Sequence, residues 1–152
     1  MEGVLDTLHS LPAEVVSKRG GPVKLALAKG ARLIRDQAKA NLRAQIAKNP
    51  NDVSTGLLEQ NVIASRGKPP FGSKGERYLV RVRRKGYPGR RGVSTRKTGS
   101  LLEWGSSHQP TKPWLRPAVQ QKGEAAINVI TEDLKRRIEA TVRKLAAQNR
   151  GK

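Results

Sequence analysis

From Val23 onward the apolar residues keep a helical beat. Val23, Leu27, Ala31, Ile34, Ala38, Leu42 and Ile46 fall three or four positions apart. Lys24, Lys29, Arg32, Arg35, Lys39 and Arg43 cover the other side, so the pattern predicts a long amphipathic helix over 22–48. Gly20-Gly21-Pro22 breaks the chain before it, with Pro22 suited to a first helical turn, and Asn49-Pro50-Asn51-Asp52 stops it. A second helix is expected over 117–147, with Ile127, Ile130, Leu134, Ile138, Val142 and Leu145 as its inward stripe. Asp133, Lys135, Arg136, Glu139 and Arg143 then point outward, and 148–152 form a tail. Val4, Leu5, Leu8 and Leu11 make a short apolar stripe in an N-terminal lead-in, 1–21.

Between the helices the period changes to two. Tyr78, Val80 and Val82 alternate with Leu79, Arg81 and Arg83, which predicts a half-buried strand with one polar face. Thr55-Gly56 is a turn signal, after which Leu57, Leu58, Val62 and Ile63 suit the opening of another strand. Gly99 to Gly105 reads as a further short strand. Gly67–Gly72 and Gly86–Gly92 are breaker-rich basic loops, and Pro110, Pro113 and Pro117 punctuate an extended connector over 106–116. With no internal repeat, the order implies one α+β domain over 1–152. Two long helices pack on one face of a small antiparallel β-sheet (55–105) that carries a long basic loop or hairpin (66–97).

Composition narrows the class. The chain of 152 residues carries 31 Lys and Arg against 12 Asp and Glu, a net charge of +19. Leu, Ile, Val and Phe make about 22% of it, close to the level at which a highly charged chain stays unfolded. No apolar run approaches the roughly 20 residues of a membrane helix. Met1-Glu2-Gly3 lacks the basic-then-apolar opening of a signal peptide. With no Cys and only His9 and His108, disulfides, thiolate sites and histidine metal clusters drop out, and no cofactor is implied. The expectation is a soluble, cytoplasmically made protein whose charge favours polyanion partners.

That charge is concentrated. Arg66 to Lys97 holds twelve Lys or Arg, including Arg77, Arg81, Arg83, Arg84, Lys85, Arg90, Arg91, Arg96 and Lys97, with Glu76 as the sole acid. One reading is a surface that faces phosphates, with affinity from counterion release and no sequence choice. The other is a solvated loop that orders only against an acidic protein partner. Tyr78, Phe71 and Tyr87 are too few for a single-strand stacking platform. Glu103 near His108 is a candidate acid–base pair, but no nucleophile or oxyanion hole accompanies it. Gly72-Ser73-Lys74-Gly75 lacks the strand–loop–helix frame of a phosphate loop, and the chain reads as a non-enzyme.

The least random stretch is Glu103 to Ala118. Its plain reading is a connector in which a strand ends at Gly105 and Trp104 and Trp114 fill a core between sheet and helix. The stretch also resembles the tail-completion or neck proteins of long-tailed bacteriophages, the lambdoid gene-ten-product family. Members show an acid-aromatic-Gly-Thr/Ser strand end, a variable link, then Pro-aromatic-Leu-Arg-Pro-Ala opening a C-terminal helix. Here these are Glu103-Trp104-Gly105-Ser106 and Pro113-Trp114-Leu115-Arg116-Pro117-Ala118. The family's Ala-rich helix and Thr-Gly-x-Leu turn match Gly30 to Ala40 and Thr55-Gly56-Leu57-Leu58, so the likeness runs in order over roughly 20–145. Trp stands twice where Phe is commoner, Pro50 to Gly56 is slightly longer, and the basic segment is unusually long and charged.

The resemblance implies a virion protein of the tail or neck, made in the bacterial host. It would form a homo-oligomeric ring, a hexamer among the options, at the head-proximal end of the tail. Its partners would be head connector or stopper proteins, tail terminator or tail tube proteins, and genomic DNA in the channel, with no membrane. The basic residues would meet DNA or an acidic ring partner, while Glu103 to Pro117 would organise the fold and subunit contact. Two rivals remain, a basic nucleic-acid-binding protein without sequence specificity and a small nuclease or toxin-like enzyme using His108 or Glu103.

Overall fold

A computed structural model describes residues 21–49, 54–72 and 75–151. The chain is α+β, built from helices and two small antiparallel sheets of two strands each. In order these are α1 (Pro22–Ala47), α2 (Leu57–Gln60), β1 (Val62–Gly67), β2 (Arg77–Val82), β3 (Gly86–Tyr87), β4 (Arg90–Ser94), α3 (Thr95–Trp104) and α4 (Leu115–Arg150). The lead-in read from Val4, Leu5, Leu8 and Leu11 lies outside the described residues.

Helix α1 matches its sequence signals. Pro22 occupies its first turn, and the Leu25 N–H donates to the Gly21 carbonyl at 3.2 Å. Its buried residues include Ala26, Gly30, Ala31, Ala38 and Leu42, a mostly small-sided face. Small residues let a second helix come close, and α4 packs along α1 in the opposite direction. The Asn41 amide donates to the Trp114 carbonyl and the Gln45 amide to the Pro113 carbonyl, each at 3.2 Å. Far along the pair, Lys29 reaches Asp133 at 3.2 Å. At Gly30 an added Cβ would lie inside the Ile130 side chain and 3.1 Å from the Ala126 carbonyl oxygen.

The hairpin β1–β2 lies against α1, in a register that pairs Val62 with Val82 and Ala64 with Val80. Tyr78, Val80 and Val82 share a face, as their alternation predicts, and the two valines pack against the core. That core is Ala38, Leu42, Leu58, Val62, Trp114 and Ala118. Burying Trp114 and the aliphatic side chains at roughly 25 cal/mol per Å² of apolar surface is the main term opposing chain entropy.

The structure corrects several expectations. Gly99 to Gly105 is the end of helix α3 and not a strand. Ser94 caps α3 by accepting from the Lys97 N–H at 3.4 Å, and Gly105, at φ +74°, ends it. Leu57 and Leu58 form a helical turn, with the strand starting at Val62. Arg96 and Lys97 belong to the first turn of α3, so the basic segment is not one loop. Finally, α4 buries the expected stripe only in part, with Ile130, Leu134 and Ile138 half-buried. Ile127, Val142 and Leu145 are exposed, whereas Ala118, Ala126 and Asp133 are buried. The close approach of α1 selects small residues, and Asp133 is drawn in by Lys29 and by Arg137 at 2.5 Å. Helix α4 also begins at Leu115 and runs to Arg150, beyond the expected 117–147.

Candidate nucleic-acid interface

The junction of α3 and α4 is a knot tied by one carboxylate. Glu103, 5% exposed, accepts from the backbone N–H groups of Trp114 at 2.8 Å, Leu115 at 2.9 Å and Arg116 at 3.0 Å. These are donors that the start of a helix leaves without intrahelical partners. Glu103 therefore caps α4 from a neighbouring helix and sets a negative charge at its positive end. The Arg116 side chain returns to the same carboxylate at 2.9 Å and to the Glu103 carbonyl at 3.2 Å. Burial pushes the Glu103 carboxyl up, but the backbone N–H groups of Leu115, Trp114 and Arg116 and the Arg116 guanidinium outweigh it. Its pKa lies below the ordinary carboxylate value.

The two tryptophans part company here. Trp114 is 2% exposed and donates its indole N–H to the Gly99 carbonyl at 3.1 Å. Gly99 accommodates this packing: an added Cβ would meet Leu58, Trp114 and Val82 at 3.3–3.4 Å. Trp104, expected in the core, is instead 64% exposed, and the Arg116 guanidinium sits 4.3 Å from its ring centroid. Gly105 turns the chain away from it, with Gln109 and Thr111 backbone and side-chain atoms about 3.0 Å from where a Cβ would be.

Thr95, at the start of α3, secures the linker after β2. Its buried hydroxyl donates to the Arg83 carbonyl at 2.6 Å and accepts from the Lys85 N–H at 2.9 Å. Its own N–H donates to the Lys85 carbonyl at 2.9 Å. The backbone that carries Arg83, Arg84 and Lys85 is thus fixed against α3, with the three side chains left exposed. Beside them opens a cleft of about 600 Å³ between the hairpin and α3. Arg81, Arg83, Arg84 and Arg96 line it together with Trp104.

The expected basic residues therefore divide. Arg81, Arg83, Arg84 and Arg96 converge on this cleft. Arg77 at the start of β2, Lys85, Arg90 and Arg91 on β4, and Lys97 on α3 are exposed and lie outside its lining. Glu76 is engaged by Arg66 through two hydrogen bonds of 2.6 and 2.8 Å, which leaves the cleft arginines unneutralised by it. Arg81 contacts the Ser65 hydroxyl at 2.8 Å. Of the motif residues, Glu103, Trp104, Gly105, Pro113, Trp114, Leu115, Arg116 and Pro117 all gather around the α3–α4 junction. Glu103 and His108 are not brought together as an acid–base pair: the carboxylate holds α4, and His108 Nδ1 lies 2.9 Å from the Ser107 hydroxyl. Ser73 and Lys74 lie outside the described residues.

Thr95 and the exposure of Trp104 escaped the sequence reading. Ser94, a good helix cap two residues after Gly92, was the signal for α3 and hence for Thr95. No family model matches the chain, and neither a known curated protein nor a solved structure does.

Proposed function

We propose that this chain is a structural subunit of the head–tail junction of a long-tailed bacteriophage, a tail-completion or neck protein resident in the virion. In this reading it forms a ring at the head-proximal end of the tail. It meets head connector or stopper proteins on one side and tail terminator or tube proteins on the other, and DNA passes through the lumen. The observation that carries the reading is that the motif behind the resemblance acts as one physical unit. Glu103 and the residues from Pro113 to Pro117, separated in sequence, tie α3 to the start of α4 through the hydrogen bonds of a single carboxylate. The same reading takes both long helices to cover one face of a small sheet; the packing of α1 on β1–β2 supports it for α1, whereas α4 lies chiefly along α1. A thin core is stabilised when neighbouring copies bury more surface, and +19 copies sit in a ring only beside DNA or acidic partners.

The test is electron microscopy of lysates from a phage lacking this gene. Filled heads and separate tails, joined again when the protein is added, are the expected result; intact infectious virions would sink the proposal. Replacing Arg83, Arg84, Arg90 and Arg91 with Gln leaves folding intact and lowers the yield of joined particles. Normal yields would remove these side chains from joining.

The second reading, a nucleic-acid-binding protein without sequence specificity, is favoured by the arginine-lined cleft. It requires tight binding by the isolated chain with a steep salt slope, whereas the junction reading needs only weak contact in the lumen.

A further inference from the structure

We propose that the cleft between the β1–β2 hairpin and α3 binds a single-stranded stretch of nucleic acid, with phosphates on its arginines and one base stacked on Trp104. The inference does not rest on the head–tail reading, because it uses only the chemistry of this surface.

Four arginines, Arg81, Arg83, Arg84 and Arg96, line one cleft. Glu103 also lines the cleft, but its carboxylate is engaged by the start of α4 and by Arg116. Among the described residues, no carboxylate forms an ion pair with Arg83, Arg84 or Arg96. Guanidinium forks match phosphate oxygens in geometry and charge. The backbone beneath Arg83 and Arg84 is already fixed by Thr95, so less ordering is needed when a ligand arrives.

Charge alone would suit any polyanion, and Trp104 makes the choice. A Trp that is 64% exposed at the rim of a positive cleft presents an apolar ring to water, and Arg116 holds it at 4.3 Å from the ring centroid. Unpaired bases offer a flat face to such a ring, whereas a duplex keeps its base faces stacked. An acidic peptide would satisfy the arginines and leave the indole unused. The cleft, at about 600 Å³, is of the size that takes one or two nucleotides.

The built-in probe is tryptophan emission, since Trp104 is open to a ligand and Trp114 is 2% exposed. The full chain is titrated with an oligothymidylate of about 15 nucleotides. We expect quenching that Trp104→Leu abolishes, with affinity at least about fivefold weaker by anisotropy of a labelled oligonucleotide. Trp104→Phe keeps a stacking face and restores most of that affinity, which separates stacking from any loss of folding. Arg83→Gln with Arg84→Gln lowers the slope of log affinity against log salt by about 1.4. Equal affinity of the Leu and Phe variants to the unaltered chain overturns the proposal. So does equal affinity for a duplex of the same length, or for polyglutamate.

Discussion

At the scale of the residue, Glu103 must stay an ion where water is scarce. Its position is tolerable because three backbone N–H groups and a guanidinium point at it. Because its native pKa is lowered, the unfolded chain takes up the proton first as pH falls below the ordinary carboxylate value of about 4.3. The stabilisation is complete above that value and is lost as pH drops through the lowered native pKa. Glu103→Gln should therefore cost about 2 kcal/mol at neutral pH. In thermal melts the gap between variant and unaltered chain should close as pH falls below about 4. A gap that stays constant into acid would show that the charge is irrelevant. The sequence displayed Glu103 as a member of a motif but hid its task, because the partners it satisfies belong to the start of a helix that begins twelve residues later.

Between elements, the fit of α1 to α4 depends on what is missing at Gly30. In a helix Ala ordinarily gains about 1 kcal/mol over Gly. Here the new methyl would enter the Ile130 side chain, and overpacking costs about 1–3 kcal/mol. Gly30→Ala is expected to lower stability in urea unfolding, and adding Ile130→Ala to relieve part of the loss. A more stable Gly30→Ala variant would mean that the helices are held apart elsewhere. This packing also explains what periodicity could and could not reveal. The period of α1 and the alternation of β2 were legible, because one polar face and one apolar face differ plainly in each. In α4 the half-buried Ile130, Leu134 and Ile138 follow the legible period but the exposed Ile127 departs from it, since hydrophobicity rises with size while close helix contact favours Ala118 and Ala126. Helix α3 was read as a strand because Leu101, Leu102 and Trp104 between two glycines give no helical period in so few residues.

Across the whole molecule, a small apolar core supports a net charge of +19. Self-repulsion of that charge opposes compactness, and salt screens it beyond the Debye length, about 30 Å at 0.01 M and 3 Å at 1 M. The melting temperature is expected to rise by several degrees as NaCl goes from about 0.01 M to 0.5 M. A fall would assign the dominant electrostatic effect to favourable pairs such as Lys29–Asp133 and Arg116–Glu103. What the sequence could not convey at this scale was convergence: Arg81, Arg84 and Arg96 lie up to fifteen positions apart and meet only when Thr95 folds the linker onto α3. Helix α4 adds a different kind of consequence. It starts at the carboxylate knot and runs 36 residues, a length along the helix of about 54 Å at 1.5 Å per residue. The molecule is thus a marked ruler, with the arginine cleft near zero and Arg150 at the far mark. A fluorophore or affinity handle joined beyond Arg150 stands clear of the cleft. In any assembly, the distance of that mark from an axis reports which way each copy points.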